Sequence, residues 1–412
     1  MFKENNYLKS LFIVAILLFS SSVVGYSQKT DKNSILLPEN QNCFIINPPA
    51  TQGESAKYLI PVSRVNQFWS SGYEFKRSNM LKKKSKWVAE IIWKDVDVKG
   101  GLELISITPA GAKGVGPNQY IEIEVKYDPQ ERYGNAVIGI KMADGKYNPV
   151  GDYLWSWHIW VSDYSGELQD VSGGRGIKLM DRNLGARNSI KGDPGSVGLL
   201  YQWGRKDPFI GGTDNYWLGK GKNSLRSSTI VGTWSSKVVP YRDGGTMAYT
   251  VENPTSFVKS EVEKGIDNFN GTDWQKDPYG GRMSTLWQNS RKTIFDPCPK
   301  GYKVANRYAF SALNNDNFLP YPSEENYLGR VYGEDVWFPM NGFKRSTSGA
   351  LTGARTYGYV WTSQPSYTTA RNGITNMFGR SLYFYKDKMN TDYRIRRAAA
   401  AAVRCMRWAE DD

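Results

Sequence analysis

The chain has 412 residues, a net charge of +13 from 53 Lys and Arg against 40 Asp and Glu, and a single histidine, His158. One histidine removes most metal sites, Ser-His-Asp triads and histidine acid–base catalysis, so no metal, cofactor or catalytic residue is expected. The positive charge suits acidic glycans or anionic membrane, and with no helix-turn-helix, zinc-finger or RNA-binding signature present no nucleic-acid partner is expected.

At the start of the chain Lys3 and Lys9 flank an N-terminal stretch, followed by an apolar run from Leu11 to Phe19 and the small residues Ser20, Ser21 and Ser22. This pattern predicts a secretory signal peptide over residues 1–27, cut before Gln28 with Gly25 and Ser27 where small side chains are needed. The run is about half of the roughly 20 residues that cross a bilayer, so no integral membrane anchor is expected. The first cysteine, Cys43, lies too far on for lipoprotein processing. Residues 28–41 read as a polar N-terminal segment.

Residues 42–165 read as a β-sandwich domain. Its expected strands are Cys43–Ile46, Lys57–Pro61, Trp87–Trp93, Leu102–Ile107, Tyr120–Tyr127, Asn135–Lys141 and Trp155–Val161, separated by Gly-, Pro- and Asp-rich turns. Short strands so punctuated predict an immunoglobulin-like sandwich. In Tyr120–Tyr127 apolar and charged residues alternate, which predicts a half-buried strand with its glutamates on the outer face. His158 faces away from Trp155 and Trp157, and a lone strand histidine reads as structural. Lys82, Lys83, Lys84 and Lys86 read as a solvated loop.

Residues 166–176, within a Ser-, Gly- and Asp-rich stretch, read as a linker. The remainder, 177–412, is rich in Gly, Trp and Tyr and has little periodicity, which predicts short strands and long ordered loops. Helices are expected at Phe257–Lys264, with Gly265 as a stop, and at Arg307–Asn314 after Asn306 as N-cap. The tract Ala398–Ala402 has helix propensity that conflicts with a strand leading into Val403. The predicted class is therefore mainly β, with an α+β C-terminal part.

Several segments carry a resemblance. Leu179–Ala186, Gly198–Phe209, Asp296–Val304, Phe338–Phe343, Tyr359–Ser363 and Val403–Arg407 together resemble the Fibrobacter succinogenes major paralogous domain over about residues 177–408. Asn135–Lys141 and Leu154–Tyr164 are similar to the β-sandwich that precedes this domain in Bacteroidota surface proteins of the fimbrillin-associated and tip-like type. The resemblance implies a C-type-lectin-like fold for 177–412 and no characterised activity. Three cysteines allow one disulfide and leave one thiol; the pairing expected, which the resemblance also implies, is Cys298 with Cys405. Cys43 is then free and buried in the first strand of the sandwich. The chain departs from calcium-binding lectins: Gln364, Pro365 and Ser366 are the nearest trace of their loop, and no Trp-Asn-Asp strand occurs. Where family members commonly have Pro after the Val of the cysteine turn, this chain has Ala305, which alters a helix cap.

The expected function is non-enzymatic: an exported cell-surface, outer-membrane-associated or extracellular protein that adheres to a glycan or surface-protein ligand, or to fimbrial subunits. Tyr357, Tyr359 and Trp361 are the candidate stacking aromatics, weighed against simple core filling. One alternative is an oxidoreductase of the formylglycine-generating type, which needs two reactive thiols that bind copper. Another is a fimbrial structural subunit, for which residues 28–42 are a poor donor strand.

Overall fold

The computed structural model describes residues 32–71, 76–95, 104–128, 132–211, 231–232, 237–261, 273–276, 285–321, 329–369 and 375–409. The expected signal peptide and its cleavage site lie outside them. The chain is mostly β, with short α-helices at Arg64–Trp69, Tyr241–Gly244 and Met247–Glu252.

The first half forms two sheets. One runs Ile35–Leu36, Ser55–Pro61, Tyr120–Lys126, Ile105–Ile107; the other runs Val231–Gly232, Lys86–Lys94, Gly134–Ala143, Pro149–Val161, Cys43–Ile46, with Lys113–Val115 alongside Lys86–Val88. Their apolar residues share one core, Ile60, Ile121, Ile123 and Val125 meeting Trp87, Trp93, Ile138 and Trp155. All seven expected strands are present, although that at Leu102–Ile107 is confined within the described residues to Ile105–Ile107.

The alternation in Tyr120–Lys126 misleads at one position, for Glu122 is buried, not on an outer face. The loop after Thr108 covers it, coming so close that a Cβ on Gly111 would lie 2.2 Å from the Glu122 backbone nitrogen. Glu122 keeps its hydrogen bonds there by accepting from Thr108 Oγ1 at 2.7 Å and Ser34 Oγ at 2.9 Å, as a buried carboxylate must.

In the second half, Leu168–Gln169, Leu179–Met180, Cys405–Arg407 and Tyr302–Val304 make one sheet, so the expected linker contributes a strand. The largest sheet runs Leu351–Thr352, Phe343–Lys344, Ala400–Val403, Gly358–Thr369, Thr375–Phe384, Met389–Arg396, with Leu200–Gln202 also paired to Ala400–Ala402. A third comprises Phe318–Pro320, Gly329–Tyr332 and Val336–Pro339.

The alanine tract has its reason here. Ala401 sits in the core with Tyr201, Trp203 and Trp361, and Ala400 and Ala402 sit beneath Leu200, Phe209 and Phe257. With both faces covered by large side chains, a central strand has room for methyl groups only, and packing overrides helix propensity.

The helix expected at Phe257–Lys264 is corrected within the described residues, outside which 262–264 and Gly265 lie. Phe257–Lys259 is a strand parallel to Val238–Pro240, because Phe257 and Val258 are both fully buried and Gln202 Nε2 takes the Val258 carbonyl at 2.7 Å. At Arg307–Asn314 only Arg307–Phe310 coils, as a 3₁₀ turn, with Asn306 Oδ1 accepting from Tyr308 N as N-cap. Further on, the Asn314 side chain accepts from the Asp316 and Asn317 N–H groups, a local alternative to helix at that end of the expected segment.

The two halves are continuous. Val231–Gly232 adds a strand to the sandwich beside Lys94 and Trp93. Asn42 Nδ2 donates to Ile294 O at 2.7 Å, Trp160 Nε1 to Ala186 O at 2.9 Å, and Arg187 Nη2 to Asp95 O at 2.7 Å.

Candidate ligand-binding face

The residues that carry the resemblance lie mostly inside. Arg182 is buried with its fork on Asp181, Nε to Oδ1 and Nη2 to Oδ2, both at 2.8 Å. Asn183 accepts from Arg404 Nε at 3.2 Å and donates to Val197 O at 3.1 Å. Burial, with no contacting carboxylate on its guanidinium, pulls Arg404 down to about 9, Asp181 nearby opposing the shift. Lys206 Nζ reaches Ser156 Oγ and Asp207 Oδ1, both at 2.6 Å, above the Trp155 ring.

The cysteine turn is held by Asp296. Its carboxylate accepts from Cys298 N at 2.9 Å, Val304 N at 3.0 Å and Lys292 Nζ at 3.1 Å. Cys298 is bonded to Cys405, with a Cα–Cα distance of 5.9 Å. Cys43 is free and buried, and burial pushes its thiol far above the ordinary range. His158 is buried where the sandwich meets the second half, its Nε2 2.9 Å from Asn135 Oδ1; burial pulls it down to about 3. These groups fasten loops and join halves.

The candidate stacking aromatics divide. Trp361 is fully buried, its Nε1 donating to Tyr201 O at 2.7 Å, so it fills the core. Tyr359 follows the same alternation two residues earlier and is also buried, at 8% exposed. It opens a row of rings: Phe343 to Tyr359 at 4.8 Å, Tyr359 to Tyr383 at 4.8 Å, and Tyr383 to Tyr393 at 4.7 Å between centroids. For Tyr359–Tyr383 and Tyr383–Tyr393, which sit on adjacent strands, the repeat equals the inter-strand spacing. Tyr357 lies 6.0 Å and Tyr385 5.8 Å from Tyr383, widening the row into a patch.

Local structure fixes these rings. Tyr359 and Tyr383 are directly opposite across the antiparallel pair Gly358–Thr369 and Thr375–Phe384. On its other side Tyr359 is bound by a side chain in place of a strand: Asn341 Nδ2 donates to Tyr359 O at 3.2 Å, and Tyr359 N donates to Asn341 Oδ1 at 3.3 Å. Tyr357 folds onto Gly353, which has φ of +68° and whose added Cβ would lie 2.4 Å from the ring.

Exposure rises from Tyr359 to Tyr393, while Phe343 on the other side of Tyr359 is part-buried. Tyr359 is covered, Tyr383 is half-buried, and Tyr393, on the edge strand Met389–Arg396, is 38% exposed. Burial, then the neighbouring Tyr357 and Tyr393 phenols, push Tyr383 up to about 12, so its hydroxyl stays neutral. Phe343 was read in the sequence only as part of the Phe338–Phe343 segment, and Tyr383, Tyr385 and Tyr393 went unnoticed, although Tyr383 and Tyr385 repeat the two-residue spacing of Tyr357 and Tyr359. Gln364 Oε1 accepts from Asn289 Nδ2 at 3.0 Å and is thereby engaged within the protein.

Among the described residues no group of three or more His, Cys, Asp or Glu is placed to hold a metal ion, and no helix is long and apolar enough to cross a membrane. Compared with protein-family models and curated proteins, the chain matches neither.

Proposed function

We propose that this is an exported, non-enzymatic surface or fimbria-associated protein that binds a glycan or a partner protein through the tyrosine patch of its C-terminal half. On this reading residues 42–165 are an immunoglobulin-like sandwich, and 177–412 a C-type-lectin-like domain of the Fibrobacter succinogenes major paralogous type. The observation that carries it is the ring row, which runs from buried Tyr359 through half-buried Tyr383 to exposed Tyr393 on an edge strand. Aromatic rings with hydroxyl tips give apolar contact area together with hydrogen bonds, the combination that sugar rings and polypeptide surfaces take.

A non-enzymatic role is supported by the buried, neutral His158 and by Cys298 and Cys405 being joined to each other. The disulfide also suits an oxidising compartment outside the cytoplasm. A glycan array followed by calorimetry tests the proposal. Tyr383→Ala and Tyr393→Ala are each expected to weaken binding at least about tenfold, about 1.4 kcal/mol. Because Tyr383 ionises near 12, its contribution stays flat from neutral pH to the ordinary phenol range. Silence on host, plant and microbial glycans overturns the glycan reading, and binding that both variants retain overturns the tyrosine patch as the site.

A further inference from the structure

We infer that the lysine-rich end of the sandwich is a second docking surface, one for an acidic polysaccharide. The run Lys82, Lys83, Lys84 and Lys86 read in the sequence as a solvated loop; the fold adds two neighbouring turns to it. Lys82–Ser85 is a closed turn, with Ser85 N donating to Lys82 O and Lys82 N to Ser85 Oγ, both at 2.9 Å. Gly116 N donates to Ser85 O at 2.8 Å and so ties the 110–116 turn, which carries Lys113, to the first. Lys86 Nζ donates to Gly145 O at 2.6 Å and ties in the 144–148 turn, which carries Lys146.

Lys82, Lys83, Lys84, Lys113 and Lys146 are exposed. Across the three turns the one carboxylate is Asp144. It is consumed locally, accepting from Lys146 N at 2.8 Å, Asn148 N at 2.9 Å and Asn148 Nδ2 at 2.8 Å. At the centre lies Tyr147, a non-glycine residue with φ of +65°. Its ring has Lys86 Nζ at 4.7 Å and Lys113 Nζ at 5.3 Å. Two ammonium groups drawn to one ring repel each other, and a bound anion relieves that repulsion. Braced turns hold the charges in place before binding, so little side-chain and loop ordering is left to oppose it.

A polysaccharide is favoured over nucleic acid because the Cys298–Cys405 disulfide belongs to an oxidising compartment, and because a central ring beside cations suits a sugar. The test uses the full chain, with polygalacturonate and dextran sulfate as probes and neutral dextran as blank. Phosphatidylglycerol vesicles and a DNA duplex are run in parallel. Lys82→Glu/Lys84→Glu is compared with Lys237→Glu/Lys300→Glu, exposed lysines elsewhere that give the same change in net charge.

The first pair is expected to lose at least about tenfold in affinity for both acidic polymers and to flatten the salt dependence by about two counterions. The control pair should change less than about twofold, and Lys113→Glu alone should fall between. Equal losses in the two pairs reduce the effect to net charge and overturn the proposal. So does the absence of binding at low salt, or tighter binding to vesicles or DNA. A thermal melt of each variant distinguishes lost binding from lost folding.

Discussion

His158 shows how one residue couples burial to pH. Desolvation pulls it to about 3 in the folded protein, while in the unfolded chain it titrates near its ordinary value of about 6.5. Its contribution to stability is therefore complete above that value, declines as pH falls, and is gone below about 3. Asp273 acts the other way. Burial raises it to about 6 against the pull of Arg397, so it favours the folded state as pH falls through that region. Only a difference measurement isolates the histidine. His158→Gln should remove a dependence of at most about 1.4 kcal/mol per pH unit, seen as urea midpoints of variant and parent that converge from pH 7 to 4. A constant gap would mean that the imidazole is not the titrating group. The sequence reads this histidine as structural; the side chains it packs against and bonds to are Tyr201 and Asn135, distant in the chain.

At the scale of the element, the Ala400–Val403 strand is the sharpest case. Its composition suggests a helix, yet it runs between Leu200–Gln202 and Gly358–Thr369 with aromatic side chains on both faces. Ala401→Leu should destabilise by about 1 to 3 kcal/mol through overpacking, despite being an apolar change that helices favour. Thermal denaturation measures it, and an unchanged midpoint would show that space remains beneath Tyr201 and Trp361. The Phe257–Lys259 strand illustrates the same limit. Short apolar stretches of this kind serve helix or strand equally, and the partner strand Val238–Pro240 decides between them. In the sandwich the strands are longer and alternate, and there the pattern was legible. Glu122 is the exception, since a covering loop cannot be read from a strand's own residues.

At the scale of the molecule, the disulfide joins the turn before the Tyr302–Val304 strand to the closing strand Cys405–Arg407, with which that strand pairs. Cys298→Ser/Cys405→Ser should cost up to about 4 to 5 kcal/mol in the chain-entropy picture for a loop near 100 residues, read as a lowered denaturant midpoint. Thiol titration checks the same pairing. One free thiol is expected in denaturant without reductant and none in the native protein, since Cys43 is buried; three thiols would revive the copper-dependent alternative. The halves share bonds and a core, so loss of either should be felt by both.

Local chemistry by itself determined the sandwich strands, the Asn306 cap, the candidate disulfide and the lysine run, because alternation, capping and charge are written in neighbouring residues. The tertiary structure alone decided which aromatics are open. Tyr357, Tyr359 and Trp361 share one spacing, but Tyr359 and Trp361 are buried, and it is Tyr383 and Tyr393, from other strands, that carry the ring row outward. It also gave Lys82–Lys86 its companions Lys113 and Lys146. Exposure and convergence depend on which distant segments come together, and no local pattern encodes that.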